Sequence, residues 1–238
     1  MTIFGAVFAR GGSKGIPGKN LKKVAGKSLL EHSVSLGLGS AEIDQMICST
    51  DSQEIAEEAR RLGAEVPFLR PSRLAYDKAP EWGAWQHLAT YLIEQGASGS
   101  DILLSLPTTS PLRAREDVDE AIETFQRGSF DLVLAVTESS RNPWFNMVKR
   151  ESSSTAVELA VSEGTKRVDR RQDAPQLFDI TTVVYVTTLG YVRQASRMLE
   201  GKVGSIIVPP ERAIDIDTEL DLEIAEYLAL KRLGLDRG

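Results

Sequence analysis

The chain has 238 residues, with 28 Lys and Arg against 34 Asp and Glu for a net charge of −6, and 42% of its residues are hydrophobic. That length can bury the core of one large or two small domains, the acidic balance argues against a nucleic-acid binder, and no apolar run nears the roughly 18 residues that span a bilayer. The single cysteine, Cys48, excludes an internal disulfide and fits a reducing compartment, two histidines are too few for a structural zinc site, and the opening MTIFGAVFAR lacks the basic and small-residue marks of an export signal, so a cytoplasmic protein is expected.

IFGAVF reads as a first buried strand. The loop after it, ARGGSKGIPGKN (residues 9–20), carries Gly11, Gly12, Gly15 and Gly18 among the cations Arg10, Lys14 and Lys19. Glycines let backbone N–H groups turn toward an oxyanion, and the cations neutralise it, so the loop points to a nucleotide phosphate. It is neither of the familiar phosphate loops: Gly18-Lys19 is followed by Asn20 where a Walker A loop needs a hydroxyl, and no G-x-G-x-x-G is present. SLLEHSVSLGLG has helical apolar spacing, QMICST reads as a strand, and DSQEIAEEARRLG as a helix with Asp51 as N-cap, Glu54 three residues on and Gly63 at its end. A short strand is predicted at residues 66–69, then a loop, then a helix with Trp82, Trp85, Leu88 and Leu92 on one face as core or pocket wall. DILLSL is a buried strand, TTSPLR a turn with Arg113 and Arg115 as a solvated helix start, REDVDEAIETFQ a helix and FDLVLAV a strand.

The alternation breaks at about residues 139–171, where WFNMVKRE and TAVELAVSEG flank a polar, serine-rich stretch and predict a protruding hairpin. Regular pattern resumes with ITTVVYV, a helix around residues 191–199, VGSIIVP, and a last helix from Thr218 with a Thr218/Asp221 capping box. Strands alternating with helices predict one α/β domain over residues 1–238, a three-layer sandwich with a mostly parallel sheet and one excursion. Just before the last helix, AIDIDTELDL places Asp215 and Asp217 on one side of an extended segment. Two carboxylates side by side suit Mg²⁺, which takes oxygen ligands; the alternative is that they form caps and turns at a strand–helix junction. Ligands in such sheets gather at the carboxyl ends of strands, where both the loop and this segment fall. His32 and His87 read as packing or surface residues, and Cys48 as a buried small hydrophobe.

ARGGSKGIPGKN resembles the signature of the acylneuraminate cytidylyltransferase family, the CMP-sialic acid synthetases and their relatives. STDSQEIAEEARRLGAEVPFLRPSRLAYD, TSPLR, RRQDAP and DIDTELDL resemble further blocks of that family in the same order, over nearly the whole chain. RNPWFN and RRQDAPQLFD are most similar to the branch that handles legionaminic-type nonulosonic acids. The resemblance implies a nucleotide-diphosphosugar transferase-like fold and the activation of a 2-keto sugar acid by CTP, giving a CMP-sugar and pyrophosphate. It implies that Arg10 and Lys19 hold the triphosphate beside Ser13, Lys14 and Asn20, and that Arg70 faces cytosine and ribose. It assigns Asp215 and Asp217 to Mg²⁺, with Arg10, Lys19 and Asp217 carrying the chemistry, and Arg170, Arg171 and Gln172 to the region that meets the acidic sugar. The excursion then corresponds to a dimerisation arm that also lends residues to the neighbouring site, and a homodimer is expected.

The chain departs from the family pattern at Pro107, where a sugar-contacting glutamine usually stands, at Pro80 and Glu81 in place of a serine pair, and at residues 181–183, TTV in place of an NGA-like stretch. The phosphate and metal ends match; the sugar end differs. Two alternatives remain at this point: a cytidylyltransferase for another acidic sugar such as a 3-deoxy-octulosonate, or a catalytically silent nucleotide-binding regulator, against which the retained aspartates and cations speak.

Overall fold

A computed structural model describes residues 1–12, 15–76, 79–152, 154–161 and 170–235, with Arg171 described by its backbone alone. The strands are β1 (Ile3–Phe8), β2 (Lys23–Val24), β3 (Lys27–Ser28), β4 (Gln45–Ser49), β5 (Ile102–Ser105), β6 (Leu132–Glu138), β7 (Val148–Arg150), β8 (Val157–Leu159), β9 (Phe178–Thr188) and β10 (Val203–Ile207). The helices are α1 (Leu29–Leu38), α2 (Gln53–Arg61), α3 (Glu81–Glu94), α4 (Arg115–Arg127), α5 (Leu189–Gln194) and α6 (Glu219–Arg232). Six strands form the central sheet in the order β10-β6-β9-β5-β1-β4. All neighbours are parallel except β9, which runs antiparallel to both β5 and β6.

β1 shows why three layers form. Ile3 and Val7 enter an apolar cluster with Leu30 and Val34 of α1, Ile55 of α2 and Val118 of α4. Phe4 and Ala6 point the other way, into a cluster with Trp82, Trp85 and Leu88 of α3 and Leu189 of α5. A strand covered by helices on both faces must be apolar at every position, which is how IFGAVF reads. A third cluster seats α6 through Ala225 and Ala229 against Ile16, Val24, Leu29 and Ile216, so the last helix packs beside the glycine loop.

Topology locates the site. β1 pairs with β4 on one side and with β5 on the other, so the chain reverses its direction of sheet growth at β1. Loops leaving β1 and β5 therefore diverge and leave a crevice at their carboxyl ends.

Several local expectations change. Ser52, not Asp51, caps α2, its hydroxyl accepting from Ile55 N–H at 3.4 Å. Residues 66–69 form no strand: Pro67 has no N–H to give a ladder, and only isolated bridges at Glu65 and Leu69 remain. α5 begins at Leu189 under a Thr188 cap and ends before the extended Ala195, whose carbonyl accepts from Trp82 Nε1 and Gln86 Nε2. Within the excursion, β7 and β8 pair antiparallel as the predicted hairpin, while Ser153 and residues 162–169 lie outside the described residues.

Candidate active site

The glycine loop is fixed at both ends before any ligand arrives. Ala9 N–H donates to Ser49 O at 3.1 Å and Gly11 N–H to Asp51 Oδ1 at 3.0 Å, tying the loop to the end of β4. Asp51, freed from capping, thus serves the loop. Gly18 takes the left-handed region at φ 65° and turns the chain into a single 3₁₀ turn, Lys19–Leu21. That turn buries Asn20, whose amide donates to Arg10 O at 2.9 Å and whose oxygen accepts from Thr108 at 2.6 Å. Asn20 is the stitch between the loops after β1 and β5.

The Asp215/Asp217 segment closes the crevice. It is not a strand; Ile216 N–H makes one bond to Thr109 O at 2.9 Å. The predicted alternation survives nonetheless, because Ile216 is buried and Asp215 and Asp217 are both exposed. Gly15 lies so close to this segment that an added Cβ would run into the Asp217 carbonyl. Lys19 Nζ donates to Ile216 O at 2.7 Å and pairs with Asp217 Oδ1 at 3.1 Å. The result is a cleft of about 370 Å³ lined by Arg10, Lys19, Asn20, Arg70, Glu81, Thr108, Thr182, Asp215 and Asp217, among others. Cations face carboxylates across it, the mixed charge that a metal-chelated polyphosphate matches.

Six sequence-predicted residues meet in this cleft: Arg10, Lys19, Asn20, Arg70, Asp215 and Asp217. Ser13 and Lys14 lie outside the described residues. Arg170 and Gln172 do not line it. Arg170 is exposed and pairs with Asp173 at 2.9 Å, and Gln172 lines a separate cavity of about 420 Å³ with Arg141, Asn142 and Asn146 at the base of the hairpin. Arg171 opens the 3₁₀ turn Arg171–Asp173.

A family model described as cytidylyltransferase matches residues 5–200. The chain belongs to the cytidylyltransferase family. Among its curated relatives is post-translational flagellin modification protein B of Campylobacter coli, 29% identical over 95% of this chain and 94% of that one. CMP-N,N'-diacetyllegionaminic acid synthase of Campylobacter jejuni is 29% identical over 98% and 97% of the two chains. The solved structure of CMP:2-keto-3-deoxy-manno-octonic acid synthetase complexed with CTP superposes with a TM-score of 0.71 over 98% of this chain and all of that one, at 15% identity, a likeness of fold.

Within this cytidylyltransferase, sequence reasoning misplaced one residue and undervalued another. Arg113, read as a solvated helix start, is 4% exposed. Its guanidinium donates to Ser33 Oγ at 2.7 Å, to Pro107 O, and to Thr182 O at 3.3 Å, clamping the turn after β5 against α1 and β9. Burial lowers its pKa to about 9, with Asp117 opposing. No spacing marks such a residue; only the convergence of α1, the turn after β5 and β9 on its guanidinium does. Glu81 was legible only as a departure from the family pattern. It lines the cleft as an exposed residue; the surrounding protein raises its carboxyl's pKa, opposed by the Trp85 hydrogen bond and Arg70, with Asp215 adding to the rise.

Asp215 and Asp217 suit magnesium, which is commonly held by one or two carboxylates with substrate phosphates and water completing the shell. No group of three or more His, Cys, Asp or Glu side chains is placed to hold a metal among the described residues. A site of this kind relies on the nucleotide for its remaining ligands.

Proposed function

We propose that this chain joins CMP to a nonulosonic sugar acid of the legionaminic class, using CTP and releasing pyrophosphate. The observation that carries the reading is one cleft holding Arg10 and Lys19 of the glycine loop opposite Asp215 and Asp217, in a chain of the cytidylyltransferase family. The sugar class rests on the near full-length similarity to a legionaminic acid synthase.

The sugar's anomeric hydroxyl attacks the α-phosphorus of CTP; the new P–O bond forms as the bond to the bridging oxygen breaks, pyrophosphate leaves, and the hydroxyl proton is released. Such transfer is mainly positioning and charge neutralisation. Arg10 and Lys19, with loop N–H groups, bind the phosphates and stabilise charge growing on the leaving pyrophosphate. Asn20, locked by Arg10 O and Thr108, holds the loop in register with the turn after β5. Asp215 and Asp217 would hold Mg²⁺, which when bound supplies Lewis-acid polarisation of the phosphate oxygens. No side-chain nucleophile is required.

The hairpin is proposed as a dimer arm. Met147, Val148, Val157, Phe178 and Ile180 are large, apolar and exposed along it and its base, an area that invites a second copy. Arg170 and Gln172, away from the cleft of their own chain, would then supply a cation and an amide for an acidic sugar, with Arg171 between them in sequence. The use of CTP supports a cytoplasmic setting for the proposed reaction. No helix among the described residues is long and apolar enough to cross a membrane.

The test is pyrophosphate release from CTP with a panel of legionaminic, pseudaminic, sialic and 3-deoxy-octulosonic acids. Turnover is expected with a nine-carbon acid and magnesium. Turnover with the eight-carbon acid alone would replace the sugar assignment, and none with any acid would overturn the reading.

A further inference from the structure

The segment that carries the two aspartates, residues 213–218, belongs to no strand or helix, so no ladder fixes where they stand. Its downstream end is well held. Ile216 is buried, and one oxygen of Asp221, Oδ2, accepts from Asp217 N–H at 3.1 Å, Thr218 N–H at 2.7 Å and the Thr218 hydroxyl at 2.8 Å. Asp215 has no such support: among the described residues, neither Ile214 nor Asp215 makes a hydrogen bond through its backbone. Ala213 and Ile214 pack against separate apolar clusters, contacts that lack direction. The polar anchor upstream is Arg212, which ends the 3₁₀ turn Pro210–Arg212. Its Nε donates to Asp117 Oδ2 at 3.0 Å and Oδ1 at 3.1 Å, and a terminal nitrogen donates to Oδ1 at 2.8 Å. Asp117 lies in the first turn of α4 with its side chain 2% exposed, and its Oδ2 also accepts from Ala114 N–H at 2.8 Å. A buried carboxylate must be paired to stay charged, and a planar guanidinium grips it from a fixed direction. The fork therefore holds Arg212 against α4, three residues before Asp215.

We propose that Asp117 and Arg212 are the positioning pair for Asp215, setting the divalent-cation affinity of the cleft from outside it. Neither residue lines the cleft, so the pair acts through the segment it tethers. The inference rests on the reading that Asp215 and Asp217 hold magnesium. That ion demands near-ideal geometry, with oxygens at about 2.0–2.1 Å. One residue of slack in a chain moves a side chain by up to about 3.3–3.6 Å. A carboxylate on a loose segment would therefore spend binding energy on being ordered, whereas one tethered on both sides is already in place. Asp217 has Asp221 for this purpose, and Asp215 has the fork.

The test is equilibrium binding of CTP without sugar, measured in magnesium and in a chelator. The ratio of the two dissociation constants reads the cation, and the chelator value alone reads the nucleotide. Asp117→Asn combined with Arg212→Gln removes the fork without leaving a buried charge unpaired, and the new amide oxygen can still accept from Ala114 N–H. The native protein is expected to bind CTP at least tenfold more tightly with magnesium. The double variant should lose at least fivefold of that ratio, with chelator binding within twofold of native. Added to Asp215→Asn, the same two changes should cost the ratio nothing further, because the carboxylate they position is already gone. Arg212→Lys keeps the ion pair and loses the fork; it guards against misfolding of the double variant and should lose at least twofold of the ratio. An unchanged ratio in these variants, or an equal further loss in the Asp215→Asn background, would overturn the positioning role. So would a loss of CTP binding in the chelator as large as that in magnesium, the mark of a merely structural tie. A native protein whose CTP binding ignores magnesium would overturn the cation reading, and the inference with it.

Discussion

Lys19 and Asp217 form an ion pair in the cleft, with the lysine side chain 15% exposed and the aspartate 75%. So open a pair contributes little to stability. On the proposed function its value would lie in the ligand, the lysine being held where phosphate oxygens would arrive and the carboxylate where a divalent cation would join them. Asp217→Asn is therefore expected to lower turnover by about 10- to 150-fold while leaving the melting temperature within a few degrees, and Asp215→Asn to do so less completely. The corresponding loss of a charge-assisted contact is about 1.5–3 kcal/mol per group. Rates measured across a magnesium titration check this, and near-native rates for both variants at limiting magnesium would remove the metal assignment. The residues of this end of the cleft were legible in the sequence because charge and glycine content mark a phosphate loop directly. Asp51 was legible as a residue but not in its role: an aspartate before a helix satisfies the rule for a cap, and only the fold brings Gly11 N–H within 3.0 Å of it.

At the scale of elements, the cleft depends on loops from β1, β5 and β9 keeping their register. Arg113 is the main tie, reaching the buried Ser33 midway along α1, Pro107 after β5 and Thr182 in β9. Replacing it with methionine strands buried acceptors at about 1–3 kcal/mol each, fewer than three of them because Ser33 Oγ still donates to Pro107 O at 3.2 Å. Arg113→Met is expected to lower stability by about 2–4 kcal/mol and to raise the Michaelis constant for CTP, since Asn20 and Thr108 would lose their shared register. Chemical denaturation and initial rates check both; a change below about 0.5 kcal/mol would show that the clamp is dispensable. The alternating strands and helices were legible because burial on both faces forces continuous apolar strands. The antiparallel run of β9 was not, since a long apolar strand reads the same in either direction. Pro67 likewise reduced an apolar stretch to isolated bridges, an effect of a missing donor that apolar spacing alone does not register.

At the scale of the whole molecule, Arg170 and Gln172, proposed for the sugar, do not line the cleft of their own chain, and Met147, Val148 and Val157 of the hairpin are exposed among the described residues. The twofold assembly proposed above would answer both. Val148→Asp combined with Val157→Asp places charge in the middle of the hairpin surface, and is expected to shift the mass in light scattering from dimer toward monomer while raising the sugar's Michaelis constant more than that of CTP. A native protein that is monomeric at micromolar concentration with full activity would end the arm proposal and leave the nucleotide cleft untouched. The central claim, direct transfer of CMP to a sugar acid within that cleft, is tested most directly by oxygen labelling. A nonulosonic acid carrying ¹⁸O at its anomeric hydroxyl is diluted into ordinary water and turned over once with CTP and magnesium. The account predicts that the CMP-sugar retains the label in its glycosidic phosphate bond and that the released pyrophosphate carries none. Label in the pyrophosphate, or CMP and pyrophosphate formed without sugar attached, would contradict it.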